Sequence, residues 1–185
     1  IVDPLSKVLG AFENGEYEFT YLDVVKSAGH SCPTVAGSFI MTLEALKSLY
    51  PNERAVRGNV KVDFKEALED GVAGVVANVI SQITGATDIS GFKGLSGKFA
   101  RHSLMSFSTG INSSARFTRV DNGKSVNVMY NPESVKSNPK TTLLMKKITL
   151  GEASPSEIRE FGDLWQTRVQ KIFENIKEVV EVEEV

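Results

Sequence analysis

Residues 116–130 read Arg-Phe-Thr-Arg-Val-Asp-Asn-Gly-Lys-Ser-Val-Asn-Val-Met-Tyr, and this stretch decides the fold class. Two segments typical of strands, 116–120 and 125–130, flank the turn residues 121–124. Asn122-Gly123 tolerates the positive φ angles that a type I′ turn requires. The stretch therefore predicts two antiparallel strands joined by a tight hairpin.

The sequence on either side of this hairpin favours an α+β fold. Residues 60–65 alternate between apolar and charged side chains, which is the period of a half-buried strand. Segments with helical spacing lie before and after this strand-containing middle. We therefore expect one domain over residues 1–185, with helices packed on a mostly antiparallel sheet.

Capping signals predict where several helices begin. Asp3-Pro4 has the pattern of an N-cap followed by proline at the first helical position. Cys32-Pro33 predicts another helix start, and Pro51 closes that helix. Ser154 and Glu157 form a capping box ahead of an amphipathic C-terminal helix over about 155–178. The acidic tail that follows is expected to fray or to pack at an edge.

Composition limits the function classes. The chain has 185 residues, 21 basic and 23 acidic, and a net charge of −2. This balance gives no bulk charge for binding nucleic acid or an anionic membrane. No apolar run approaches the roughly 18–20 residues that span a bilayer, and no signal peptide is visible. With a single cysteine and hence no intrachain disulfide, the expected location is the cytoplasm.

The segment Gly29-His30-Ser31-Cys32-Pro33 carries the strongest functional signal. Imidazole and thiolate are ligands for a borderline-soft metal such as zinc. The partial positive charge of a helix N-terminus also favours a thiolate. His30 and Cys32 could therefore share a metal, or His30 could act as a base for Cys32. The remaining interpretation is a loop histidine beside a small, buried cysteine.

This segment resembles the Gly-His-x-Cys-Pro signature of the FmdE family, which takes its name from a component of formylmethanofuran dehydrogenase. A second block of the family, a helix ending in Thr-Gly-Cys-Thr, is similar to residues 75–87, which end in Thr-Gly-Ala-Thr. The similarity spans roughly residues 22–95 and describes a divergent member. Val75 and Ala86 occupy the positions where the family brings further cysteines.

The resemblance implies a small α+β metal-binding protein that forms a homodimer. His30 and Cys32 are the motif residues that carry over as metal ligands, with zinc as the expected ion. The chain has only three Cys and His residues, too few for a closed Cys/His zinc site within one chain. We expect an open or partial site, which oxygen ligands or a second copy of the chain would complete.

Other side chains are candidates for completing or extending this site. Asp70 or His102 could supply a further metal ligand. Alternatively, Asp70 caps a helix and His102 is a surface or hydrogen-bonded residue. The glycine-rich stretch 85–97 lacks the phosphate-loop and dinucleotide-binding spacings. Lys98 and Arg101 could still hold an anionic small molecule beside it.

Three functions follow from these observations. The first is a metal-binding FmdE-like protein whose reaction, if it has one, is unknown. The second is a metal-free enzyme with Cys32 as nucleophile and His30 as base. The third is a non-catalytic module that senses a metal or a small molecule. The sequence leaves open whether the chain is an enzyme.

Overall fold

The computed structural model describes residues 1–185 as an α+β domain, which confirms the predicted fold class. The helices are α1 (Pro4–Leu9), α2 (Tyr21–Ala28), α3 (Pro33–Leu49), α4 (Ala73–Thr84), α5 (Pro139–Thr149), α6 (Pro155–Glu174) and α7 (Ile176–Val179). The strands are β1 (Val60–Phe64), β2 (Met105–Ser106), β3 (Ala115–Arg119), β4 (Ser125–Tyr130) and β5 (Val180–Glu184). None of the helices combines the length and apolarity that a membrane span needs.

The five strands form one sheet in the order β2-β1-β3-β4-β5. The predicted hairpin is present: β3 and β4 pair antiparallel and Thr118 faces Ser125 at the turn. All other pairings are antiparallel except β1 with β2. The acidic tail becomes the edge strand β5, so the edge-packing expectation is confirmed and the fraying alternative is wrong.

One face of the sheet packs on the core, and the other is polar. Inward positions of β1, β3 and β4 are buried, including Val62, Phe117 and Val128. The alternating positions, such as Lys61 and Asn127, are partly or fully exposed. This alternation is typical of an antiparallel sheet covered on one side by helices.

Helix α3 is the central element of the core. It contacts α4 and α6 as well as the sheet, and eleven of its 17 residues are buried. Helical spacing in the sequence predicts a narrower core-facing stripe, made of Val35, Phe39, Leu43, Leu46 and Leu49. That prediction is wrong for Leu43, which is 37% exposed, whereas Ser38 and Thr42 are buried. Their hydroxyls donate to backbone carbonyls four residues earlier in the helix, which satisfies them.

Most helix boundaries follow the capping signals. Asp3 accepts from the backbone N–H groups of Leu5 and Ser6 at the start of α1. Ser154 and Glu157 form the complete capping box of α6. The main difference is at the C-terminus of α6, which ends at Glu174 rather than near 178, because Asn175 leaves helical geometry before α7.

Candidate functional site

The His-x-Cys segment forms the short link between α2 and α3. Gly29 ends α2 with a positive φ of 75°, and its N–H donates to Val25. A Cβ at Gly29 would meet no atom within 4 Å, so glycine is required for its backbone angle and not for space. Cys32 is the N-cap of α3 and Pro33 its first residue. The helix start that Cys32-Pro33 predicts is therefore confirmed.

The ring of His30 is exposed and has a defined tautomer. Its Nδ1 lies 3.0 Å from the carbonyl oxygen of Ala28. Since a carbonyl can only accept, Nδ1 carries the proton and Nε2 of the neutral ring keeps its lone pair. No other group in the protein hydrogen bonds to this ring. In its neutral form, His30 therefore presents the lone pair of Nε2 to the space in front of the ring.

Cys32 is held differently from His30. Its sulfur is half-buried, packs against the core and accepts from the N–H of Val35 at 3.4 Å. No hydrogen bond joins this sulfur to the imidazole of His30. Burial raises the pKa of Tyr130, Arg168 opposes that shift, and the nearby Cys32 adds to it. Cys32 likewise adds to the rise in the pKa of Tyr21 that burial causes, so the cysteine lies near both tyrosines.

Three side chains from neighbouring helices hold Ser31 in place, two through its backbone carbonyl and one through its hydroxyl. The carbonyl oxygen of Ser31 accepts from Nε1 of Trp165 and from Nε2 of Gln166, both at 3.1 Å. The hydroxyls of Ser31 and Tyr21 lie 2.8 Å apart. Tyr21 in turn packs edge-on against Phe173, with ring centroids 4.8 Å apart. Helix α6 and the start of α2 thus fix the loop between His30 and Cys32.

A close approach of α3 to Tyr130 adds a fourth contact. The hydroxyl of Tyr130 donates to the carbonyl oxygen of Pro33 at 2.6 Å. The ring of Tyr130 lies over Gly37, and a Cβ at that position would overlap the ring. Gly37 is thus required for space.

A polar cleft of about 450 Å³ lies between the end of α2 and α4, and His30 is on its wall. The residues that line it are Ser27, Ala28, His30, Val75, Asn78, Val79, Ser81 and Gln82. None of them is Lys, Arg, Asp or Glu. Gln82 donates through Nε2 to the carbonyl of Asp23 at 3.2 Å, which leaves its amide oxygen free. The cleft therefore offers hydroxyl, amide and imidazole groups without a formal charge.

The side chains of one chain do not supply a complete zinc centre. No group of three or more His, Cys, Asp or Glu side chains is arranged to hold a metal ion. Neither Asp70 nor His102 joins His30 and Cys32 in such a group. Even a zinc site with an open position needs three protein ligands. The donor set of a single chain thus does not fit a resident zinc ion.

Asp70 and His102 have local roles instead. The carboxylate of Asp70 accepts from the backbone N–H of Ala67 at 3.3 Å, in the turn before α4. It is not the N-cap of that helix, because α4 begins at Ala73 after Val72. Nδ1 of His102 hydrogen bonds to the hydroxyl of Ser103 at 2.9 Å.

Lys98 and Arg101 do not converge on an anion site. Lys98 is exposed in the loop, whereas the side chain of Arg101 is only 7% exposed. Arg101 forms a 2.6 Å ion pair with Asp3, and its guanidinium lies against Gly58. A soluble anion would have to displace this buried pair to reach Arg101, so the geometry argues against the ligand role expected from sequence.

Comparison with known proteins does not extend the resemblance. No family model matches the chain, and no curated protein matches it either. The likeness to the FmdE family therefore depends on the motif residues, above all His30 and Cys32.

Sequence reasoning misses the groups that complete the local structure of this site. The apolar pattern of the last helix places Trp165 in the core, yet its indole N–H holds Ser31. The pattern around Tyr130 indicates only a strand position. Asn78 and Gln82 have a usable signal, because they interrupt the apolar pattern of a predicted helix at i and i+4 and so share one face.

Proposed function

We propose that this chain is a binding protein for a small, neutral, polar molecule, which occupies the polar cleft beside His30. The observation that carries the proposal is the hydrogen bond between Nδ1 of His30 and the carbonyl of Ala28. It leaves Nε2 free as an acceptor on the wall of a cleft large enough for a small ligand.

The groups on the cleft wall select the chemistry of the ligand. A ligand hydroxyl or amide N–H would donate to Nε2 of His30. The free amide oxygen of Gln82 and the side chains of Asn78 and Ser81 offer further polar contacts. A charged ligand would lose hydration without meeting an opposite charge on the wall. Neutral hydroxylated or amide compounds are therefore the favoured class.

Titration with ribose, inositol and acetamide tests this proposal. With histidine labelled for NMR, we expect saturable changes in the ring signals of His30 and unchanged signals of His102. His30→Ala should remove the binding, and the matched control His102→Ala should retain it. Shifts of equal size at both histidines, or binding that survives His30→Ala, would refute the assignment of the cleft.

A partial metal site is the second candidate, in line with the FmdE resemblance. Histidines that bind metals commonly donate their other ring N–H to a carbonyl, as His30 does. Cys32 follows two residues later in the same link. With two protein donors, the remaining ligands would come from a bound molecule or from a second copy of the chain. Completion by a second copy would make the protein a homodimer, and the single cysteine suits the cytoplasm.

Elemental analysis of untagged protein, together with its mass in solution, tests the metal site. We expect near-stoichiometric zinc in a dimer, lost in both His30→Ala and Cys32→Ala, with His102→Ala as the control. Zinc retained by either site variant would contradict the proposal. Metal-free protein whose Cys32 is alkylated rapidly at neutral pH would instead favour the cysteine-enzyme alternative.

A further inference from the structure

A second cleft, of about 350 Å³, opens between α3, the segment leading into α4 and the end of β4. It shares no lining residue with the polar cleft. Met41 and Phe64, both almost fully buried, lie at its floor, and Val72 and Met129, which are 49% and 48% exposed, supply its accessible apolar surface. Its volume falls within the range of about 300–1,000 Å³ that is typical of small-molecule sites.

Three polar side chains on the wall of this second cleft have donors that nothing in the protein uses. The side chains of Thr34 and Asn112 make no hydrogen bond. The hydroxyl oxygen of Ser114 accepts from the backbone N–H of Tyr130 at 3.1 Å, and its own proton remains free to donate. Such uncommitted groups beside an apolar wall can orient a ligand that has one polar end.

The charges around the second cleft favour a neutral ligand. Lys65 and Glu66 are its only charged lining residues, and neither forms a salt bridge. Their charges are opposite, so the lining as a whole has no net charge. Hydroxyl and amide groups supply the remaining polar contacts.

We propose that the second cleft binds a neutral amphipathic molecule, with an aromatic or short aliphatic body packed against Val72 and Met129, above the floor that contains Met41. Its hydroxyl or amide head hydrogen bonds to Asn112 and Ser114. Burial of the apolar body supplies most of the affinity, and the polar groups fix its orientation. This site is independent of the ligand proposed for the polar cleft, because the two clefts use different residues.

The methyl signals of the four methionines can report, by NMR, whether a ligand occupies the second cleft. Met41 and Met129 line the second cleft, whereas Met145 lies on α5 and Met105 lines a different surface depression. With ¹³C-methyl methionine, we expect benzamide and benzyl alcohol to shift the methyl signals of Met41 and Met129 saturably. Met145 should not respond. Toluene, which lacks the polar head, and benzoate, which is charged, should each bind more weakly.

Alanine variants separate this site from the polar cleft. Asn112→Ala and Ser114→Ala should each weaken benzamide binding by about 5-fold, as expected for one lost hydrogen bond. Asn78→Ala removes an exposed amide from the other cleft and should leave the affinity unchanged. The proposal is overturned if no probe shifts Met41 and Met129 saturably, or if all four methyl signals respond equally. Toluene binding as tightly as benzamide would also overturn it.

Discussion

Replacing Asp3 with asparagine is expected to destabilise the protein by about 3–5 kcal/mol, the usual cost of removing one partner from a buried ion pair. Asp3 and Arg101 form a 2.6 Å pair in which the side chains are 5% and 7% exposed. Asparagine keeps an oxygen that can still cap α1, but its amide nitrogen cannot accept the bonds that Oδ2 of Asp3 takes from Tyr17 and Arg57, so the expected loss includes those two contacts. Arg101 would be left buried without a neutralising partner.

The matched control is Glu53→Gln. Glu53 also pairs with a buried arginine, Arg119, at 2.6 Å, but the side chain of Glu53 is 56% exposed. Arg119 retains Asp121 and the carbonyl of Leu49 as partners. Urea unfolding at pH 7 should therefore show a loss below about 1 kcal/mol for Glu53→Gln. Equal losses in the two variants would contradict the special role of the Asp3–Arg101 pair.

The stability that Asp3 contributes should also depend on pH. Burial alone raises the pKa of Asp3, but the N–H of Ser6 and the charge of Arg101 outweigh burial and hold the pKa below its ordinary 3.8. A carboxyl group whose pKa is lowered in the folded state stabilises the protein at any pH above its pKa in the unfolded state. This contribution to stability is lost as the pH falls through the pKa of the folded state. The stability difference between wild type and Asp3→Asn should therefore be full at pH 7 and shrink below pH 3.8.

Gly37→Ala is expected to cost about 2 kcal/mol, because a methyl group there overpacks the contact with Tyr130. The ring would have to leave the surface of α3, which would also break its 2.6 Å hydrogen bond to the carbonyl of Pro33. Alanine is otherwise the better helix former by about 0.8–1.0 kcal/mol, so the expected loss is a net value.

Two comparisons make this test specific. Gly162 lies within α6, and a Cβ there meets no atom within 4 Å, so Gly162→Ala should stabilise the protein. In a Tyr130→Ala background, Gly37→Ala should likewise become stabilising, because the overlapping ring is gone. The free energies of unfolding of the wild type, the two single variants Gly37→Ala and Tyr130→Ala and the double variant give the coupling between the two sites directly. A loss that persists without Tyr130 would show that the ring is not the obstacle.

The elements that sequence predicts well are those specified by local chemistry. The Asn122-Gly123 turn, the cap of α1 by Asp3 and the capping box of α6 each involve residues only a few positions apart. Strand β2 cannot be predicted from the sequence, because two residues are too few to show the alternation of apolar and polar side chains that is typical of a strand. Its parallel pairing with β1 depends on tertiary packing. Strand β5 is also difficult to predict, because its glutamates make the segment resemble an acidic tail. An edge strand tolerates these charged residues at its exposed positions.

In the candidate site, too, the features set by local sequence can be predicted, and those set by tertiary packing cannot. Local signals locate His30 and Cys32 between two helices, and the structure confirms that placement. The partners of the site come from distant parts of the chain, including Gln82 on α4 and Trp165 on α6. Such contacts depend on which helices pack together, and one sequence does not contain that information in a local pattern.

The double acceptor role of the Ser31 carbonyl has a practical consequence for engineering. Both of its donors, Trp165 and Gln166, come from a helix more than 130 positions further along the chain. A peptide that carries only residues 29–33 would have the same sequence but would lack the hydrogen bonds that fix its backbone conformation. Grafting the pentapeptide onto another scaffold would therefore also require an indole N–H and a side-chain amide that donate to the carbonyl of its serine.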